Sequence, residues 1–193
     1  LVNISLGFVL AMIVGILMAI FAAKYNWFKQ LLAPLVFTVK SIPVASFIIL
    51  VLIWVHSAQL SIVISFLMVF PIFYENVRKG IEMCNHQLLE MADVFELSNF
   101  ARIRYIYTSS ILPYFQSACS LALGLAWKSG IAAEVIGLPK FSIGEHLQQA
   151  KVYFDTADLF AWTLVIIILS TVLEKLVMAL IRMLIKYIET ECL

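Results

Sequence analysis

The sequence predicts an all-α integral membrane protein of about five transmembrane helices, forming a single domain over residues 1–193. Hydrophobic residues make up 63% of the chain, whereas soluble domains contain roughly 45–50%, and the mean hydropathy is +1.02. Long unbroken apolar runs favour helices over the short alternating strands of a membrane barrel. Four segments contain no Asp, Glu, Lys or Arg: Val2–Ala23, Ser41–Tyr74, Tyr105–Trp127 and Leu159–Leu173.

These segments divide into spans by length. About 20 apolar residues cross a bilayer, so Ser41–Tyr74 is too long for one span, and we divide it at the polar turn His56–Gln59. The chain begins at Leu1 rather than Met, which leaves room for a further N-terminal span in the native protein. The predicted spans lie near Val2–Ala23, Leu31–Val55, Leu60–Val77, Ser109–Val135 and Ala157–Arg182.

Two prolines lie inside these apolar runs. Pro43 and Pro71 each remove a helix hydrogen bond and can bend their helices. Each proline could produce a bend beside a cavity, or neighbouring helices could accommodate it without a functional role. The sequence favours neither.

The loop charges predict an orientation, because short cytoplasmic loops are enriched in Lys and Arg. The loop Gly137–Asp158 lacks this enrichment, because its three acidic residues outnumber its two lysines. It is therefore assigned to the side opposite the cytoplasm. We therefore expect the N-terminus outside, the C-terminus in the cytoplasm, and a multi-pass protein of the bacterial inner membrane. With five spans, one side holds these basic residues: Lys24, Lys29, Arg78, Lys79, Arg102, Arg104, Arg182 and Lys186.

The densest charge lies between the third and fourth predicted spans, in a segment that we call the elbow (about residues 80–108). Asn85 is predicted to cap a short helix from about His86 to Phe95, and Ser98 or Asn99 to cap a second one. On the first helix Leu88, Leu89, Ala92 and Phe95 share one face. A helix that merely rests on the bilayer is the alternative, but such helices are usually basic, and this one is acidic.

The elbow resembles the EAA loop of ABC importer permeases, the inner-membrane component of binding-protein-dependent transport. The likeness covers nearly the whole chain, and its nearest branch is the nitrate, sulfonate and taurine type, which includes permeases for thiamine pyrimidine precursors. It is carried by Ser41-Ile42-Pro43-Val44-Ala45, Trp54, Phe70-Pro71-Ile72, Asn76, Gly80, Leu88-Leu89-Glu90-Met91-Ala92, Leu97-Ser98, Arg104, Leu112-Pro113, Trp127, Ala132-Ala133-Glu134 and Ile136-Gly137.

The resemblance implies a type I importer permease fold, with the elbow as a cytoplasmic coupling helix. The implied partners are ABC ATPase subunits, a second permease copy in a homodimer, an extracytoplasmic solute-binding protein and membrane lipids. ATP and Mg²⁺ would bind to the ATPase, so this chain would hold no cofactor and perform no catalysis. The residues implied to contact the ATPase are Leu89, Glu90, Ala92, Asp93, Glu96, Leu97 and Ser98.

The chain departs from the family pattern at several positions. Met91 replaces the second Ala, and Thr108-Ser109 replaces the first of two Leu-Pro pairs. His56 stands where a glycine is common. Glu96 replaces a glycine between the two short helices, which puts a left-handed turn there in question, because glycine adopts that conformation at least cost.

Two charges fall inside the fourth predicted span. Buried charge in a membrane is expensive, so Lys128 and Glu134 are expected to face a cavity or a partner. We predict that both border the translocation path, together with Trp127 and Pro43. The alternative is that Glu134 reaches the outer interface and Lys128 pairs with another helix. Lys128 would favour an anionic solute and Glu134 a cationic pyrimidine, so the solute stays open.

Other function classes have less support. A self-contained secondary transporter or channel, using Lys128 and Glu134 as an ion relay, is the main alternative, although no internal repeat supports it. The net charge of +1 and the lack of a basic tract argue against nucleic-acid binding. The three histidines and Cys84, Cys119 and Cys192 lack metal-ligand spacing.

Overall fold

The computed structural model describes residues 2–192, and the side chains of residues 2–183 and of Ile185. The side chains of Lys186 and Cys192, used above for charge and cysteine counting, lie outside this described part. The helices are α1 (Val2–Lys24), α2 (Asn26–Ser41), α3 (Val44–Leu52), α4 (Ser57–Glu82), α5 (His86–Val94), α6 (Asn99–Ala101), α7 (Thr108–Gly137), α8 (Ile143–Val152) and α9 (Thr156–Cys192).

The predicted all-helical membrane fold is confirmed. Within the described residues, four helical stretches are long and apolar enough to cross a membrane: α1, α4, Asn99–Gly137 and Thr156–Met183. A fifth span results if the bent pair of α2 and α3 counts as one. A π-helical segment, Arg102–Tyr107, joins α6 to α7, so that residues 99–137 run on as one helix of 39 residues.

The second predicted span requires a correction. The sequence predicts one span near Leu31–Val55, but the structure breaks it into α2 and α3, which meet at 105°. Ile42 is extended, with φ −79° and ψ 132°, because a residue before proline is pushed out of the helical region. Pro43 is the N-cap residue of α3 and has no N–H that would need a hydrogen-bond partner. The bend foreseen at Pro43 is therefore real, whereas α4 continues through Pro71.

Helix α4 forms the centre of the bundle and packs against α1 on one side and α7 on the other. Small residues allow the close approach to α1: a Cβ on Gly7 would lie 2.5 Å from the Ile62 carbonyl oxygen, and one on Gly15 would lie 2.8 Å from Phe73 Cβ. The rings of Phe8 and Phe73 meet edge to face at 5.6 Å between centroids. This tight packing makes α1, α4 and α7 the framework that carries the elbow.

Helix α9 packs more loosely. It contacts α7 and α8 and leaves most of its apolar surface exposed in the isolated chain. Among its described side chains, Trp162 stacks on His146 of α8, at 4.6 Å between centroids. The exposed side of α9 is thus available to lipid or to another subunit.

Candidate coupling site

The first helix of the elbow begins where the sequence predicts. The Asn85 side-chain oxygen accepts a hydrogen bond from the Gln87 N–H at 2.9 Å, which satisfies one of the free donors at the start of α5. Helix α5 ends at Val94, one residue before the predicted end. A carboxylate lies on its exposed side, where Glu90 contacts the His86 ring at 3.1 Å.

The turn after α5 corrects the expectation drawn from Glu96. Glu96 has φ +49°, so the left-handed conformation is present without a glycine. Two hydrogen bonds fix it: the Glu96 N–H donates to the Asp93 carbonyl at 3.1 Å, and the Leu97 N–H donates to the Ala92 carbonyl at 2.9 Å. This pair of bonds defines a Schellman motif. The hydrogen bonds of this motif offset the roughly 1–2 kcal/mol that the left-handed conformation costs a residue other than glycine.

The second helix of the elbow begins at the predicted cap. The Ser98 hydroxyl accepts a hydrogen bond from the Ala101 N–H at 3.3 Å, so of the two candidate caps the structure selects Ser98. The chain then passes directly into the π-helical segment, where the Thr108 hydroxyl donates to the Ile103 carbonyl at 2.8 Å. Segments of π-helix occur frequently at functional sites.

Arg102 ties the two helices together, a role that the sequence analysis missed. Its Nε donates to the Leu97 carbonyl at 3.0 Å and its Nη2 to the Ala92 carbonyl at 3.4 Å, while Nη1 forms an ion pair with Asp93. The guanidinium fork supplies several donors in one rigid plane. Arg102 therefore locks the turn, and Asp93, predicted to contact a partner, is partly engaged within the chain.

The base of the elbow is also closed. A Cβ on Gly80, near the end of α4, would lie 3.1 Å from Ile111 Cα and 3.2 Å from Tyr114 Cδ2, near the start of α7. The helices that enter and leave the elbow are therefore in contact where they reach it.

The elbow presents an apolar surface that the rest of the chain does not cover. Of the predicted apolar face only Ala92 is fully buried, Leu89 is half-buried, and Leu88 and Phe95 are exposed. Further large side chains are open to solvent, with Val94 80% exposed and Phe100 71% exposed. Glu90, Glu96, Leu97 and Ser98 are also exposed. The seven predicted coupling residues thus lie together on α5 and the following turn.

The predicted path residues are not gathered around one cavity. Lys128 is exposed and, with Trp127, lines a cavity of about 280 Å³ between α7 and α9. Most of Trp127 is buried in the main core. Pro43 is exposed at the bend between α2 and α3.

Glu134 lies elsewhere. It is 5% exposed, and its Oε2 accepts a hydrogen bond from the Gly144 N–H of α8 at 3.4 Å. It borders an outer pocket of about 700 Å³ beside Lys140 and Ser142.

The cavity beside Lys128 contains a charge that the sequence analysis missed. Glu174 of α9 lines it, together with Ser170. Nothing in the local pattern of α9 pairs it with α7, since Lys128 and Glu174 lie more than 40 positions apart in sequence. The structure therefore adds Glu174 to the residues that surround Lys128.

Comparison with known proteins gives a consistent result. The family described as binding-protein-dependent transport system inner membrane component matches residues 11–189. The putative aliphatic sulfonates transport permease protein SsuC of Bacillus subtilis (strain 168) is 25% identical over 185 residues, covering 95% of this chain and 66% of that protein. The chain thus spans slightly less than two thirds of that relative's length.

Further relatives come from Brucella. A probable ABC transporter permease protein of Brucella abortus (strain 2308) is 24% identical over 95% of this chain and 73% of its own length. Another, from Brucella melitensis biotype 1, is 24% identical over 90% of this chain and 70% of its own length.

Replacing Arg102 with alanine should loosen the elbow without unfolding the bundle. The change removes an ion pair and two hydrogen bonds, and hydrogen bonds to a charged group contribute about 1.5–3 kcal/mol each. Hydrogen exchange of the amides in residues 86–98 should therefore speed up by at least about 10-fold, while exchange in α1 and α4 stays unchanged. Arg102→Lys, which keeps the charge and loses the fork, is the matched control. Its exchange rates in residues 86–98 should fall between those of the wild type and of Arg102→Ala. Unchanged exchange in Arg102→Ala would contradict the locking role.

Proposed function

We propose that this chain, which belongs to the family of binding-protein-dependent transport system inner membrane components, is the permease subunit of an ATP-driven importer of a small solute. The observation that carries the proposal is the elbow: a short helix held by Asn85 and Arg102 that exposes apolar and acidic side chains. A surface of this kind suits a protein partner. A helix that only rests on the bilayer is usually basic, so it does not account for the acidic residues of the elbow.

The elbow would work as a rigid handle. Cytoplasmic ATPase subunits, which bind and hydrolyse ATP with Mg²⁺, would hold α5 in a groove and move it during their cycle. The hydrogen-bonded turn at Glu96 and the close contact at Gly80 would transmit this movement to α4 and α7, because they would keep the elbow from changing its shape. The chain itself would contribute movement and a path, and no bond-breaking step.

The remaining partners follow from the same proposal. A second copy of the chain would complete the path, and the exposed faces of α3 and α9 leave room for it. An extracytoplasmic binding protein would deliver the solute to the end opposite the elbow. The elbow and the C-terminus would then face the cytoplasm and the start of α1 the outside, in the inner membrane.

A small anion of the sulfonate, nitrate or taurine kind is the solute that the charges favour. Lys128 is exposed in its cavity and available to an anion. Glu134, which would favour a cationic pyrimidine of the thiamine-precursor kind, is instead buried and bonded to the Gly144 N–H. The alternative function, an ion relay through Lys128 and Glu134, is weakened because these residues line separate cavities.

Reversing the charge of Glu90 should release the ATPase. Glu90 is exposed on α5, and placing an arginine there should weaken a complementary contact by about 2 kcal/mol, or about 30-fold. The amount of ATPase that co-purifies with Glu90→Arg should fall accordingly, and any remaining ATP hydrolysis should no longer drive uptake. Asp158→Arg, an equivalent reversal on exposed surface at the other end of the bundle, is the control. Retained ATPase and coupled uptake in Glu90→Arg would refute the docking role.

Removing the charge of Lys128 should impair uptake of anions. A hydrogen bond to a charged group contributes about 1.5–3 kcal/mol, so the KM of Lys128→Ala for a radiolabelled alkanesulfonate should rise about 10- to 100-fold. Lys128→Arg should retain uptake. Lys151→Ala, at an exposed position in the last turn of α8, should not change it. Wild-type uptake of every candidate solute by both Lys128→Ala and Glu134→Ala would remove these residues from the path.

A further inference from the structure

Three cations from two helices surround an open pocket of about 570 Å³ between α2 and α4. Lys29 and Lys40 come from α2, and Arg78 comes from α4. Lys29 and Arg78 meet at one end of the pocket, where both contact Glu82. The wall between Lys29 and Lys40 on α2 is apolar, with Ala33, Val36 and Phe37. A pocket with a basic end and an apolar wall matches a ligand that is itself anionic at one end and apolar along its length.

The carboxylates at this pocket do not balance the cations. Lys29 Nζ lies 2.8 Å and Arg78 Nη1 2.6 Å from the same Glu82 oxygen, while Lys40 Nζ lies 2.7 Å from Glu75. Three positive charges therefore share two negative ones, leaving a net charge of +1.

Arg78 retains bonding capacity, because among the described residues its guanidinium donates hydrogen bonds only through Nη1, to Glu82. Its Nε is buried and has no hydrogen-bond partner among the described residues. Its guanidinium carbon lies 5.9 Å from the centre of the Tyr74 ring, within the range of a cation–π contact, which helps to fix its position. The buried Nε is closed to a ligand, so an acceptor from outside the chain would bind Arg78 through Nη2.

The pocket lies at the level of lipid headgroups. Helix α4 rises about 1.5 Å per residue, so Glu75, 18 residues beyond Ser57, is about 27 Å along the helix, close to the thickness of the bilayer core. Arg78 and Glu82 lie beyond it, at the elbow end. The exposed Trp27, near the start of α2, is placed as an interface anchor would be.

We propose that this pocket binds the phosphate of an anionic glycerophospholipid, such as phosphatidylglycerol. The phosphate lies beside Arg78 and Lys29, which meet at Glu82, and an acyl chain follows the apolar wall past Phe37, which is 72% exposed. Basic pockets between membrane helices bind such headgroups. The bound lipid would hold α2 against α4 near the bend at Pro43. This inference does not depend on the transported solute or on ATPase docking.

Lipid retention tests the proposal. The full chain is purified from membranes and placed in nanodiscs of phosphatidylcholine with a minor share of phosphatidylglycerol, and the phosphatidylglycerol that stays bound is measured by native mass spectrometry. Arg78→Gln and Lys29→Gln should each lower its affinity about five-fold, since one basic residue near an anionic surface contributes about that much. Arg78→Lys should recover part of the loss. Lys79→Gln removes the same charge from the neighbouring residue, which is exposed and does not line the pocket, and should leave the affinity unchanged.

Three results would overturn the proposal. Equal losses in Lys79→Gln and Arg78→Gln would mean general surface attraction instead of a site. Unchanged retention in both Arg78→Gln and Lys29→Gln, with folding verified by thermal unfolding, would mean that the pocket holds no lipid. Displacement of bound phosphatidylglycerol by millimolar inorganic phosphate would assign the pocket to a soluble anion.

Discussion

The contact on which the elbow depends is the guanidinium fork of Arg102, which binds the end of α5 and the turn that follows it. A helix as short as α5 has little stability in water by itself. It persists here because Asn85 satisfies one of its first donors, the turn at Glu96 satisfies carbonyls of its last turn, and Arg102 joins it to the next helix. Without that fork, the two short helices would keep their caps and lose the side chain that joins them.

Rigidity at the elbow has a counterpart in the bundle. Helix α4 is packed closely on both sides, and its last turns touch the start of α7 at Gly80, so the two ends of the elbow rest on one solid support. The parts built loosely are the bent pair α2 and α3 and the exposed α9. A permease must move relative to its partner while the elbow keeps its shape. The division between a tightly packed framework and loosely packed outer helices fits that requirement.

Local chemistry accounts for what the sequence could predict. The spans follow from apolar runs, and the starts of α5 and α6 follow from Asn85 and Ser98, whose capping bonds reach only two or three residues along the chain. The left-handed turn at Glu96 was questioned because the residue preference is local, whereas the bonds that enforce it come from Ala92, Asp93 and Arg102 around it. Likewise, Glu174, which lines the same cavity as Lys128, comes from a helix whose placement no periodicity reveals. The predicted coupling residues are brought together, but whether they touch an ATPase stays a prediction.

Site-specific photo-cross-linking in cells tests the central claim most directly. A photoreactive amino acid is placed at Val94 on the elbow and, in a second strain, at Tyr153 at the opposite end of the bundle; both positions are 80% exposed. The account predicts that Val94 captures an ATP-binding subunit and that Tyr153 does not. Capture of that subunit from Tyr153, or capture of only lipid or an extracytoplasmic protein from Val94, would contradict it.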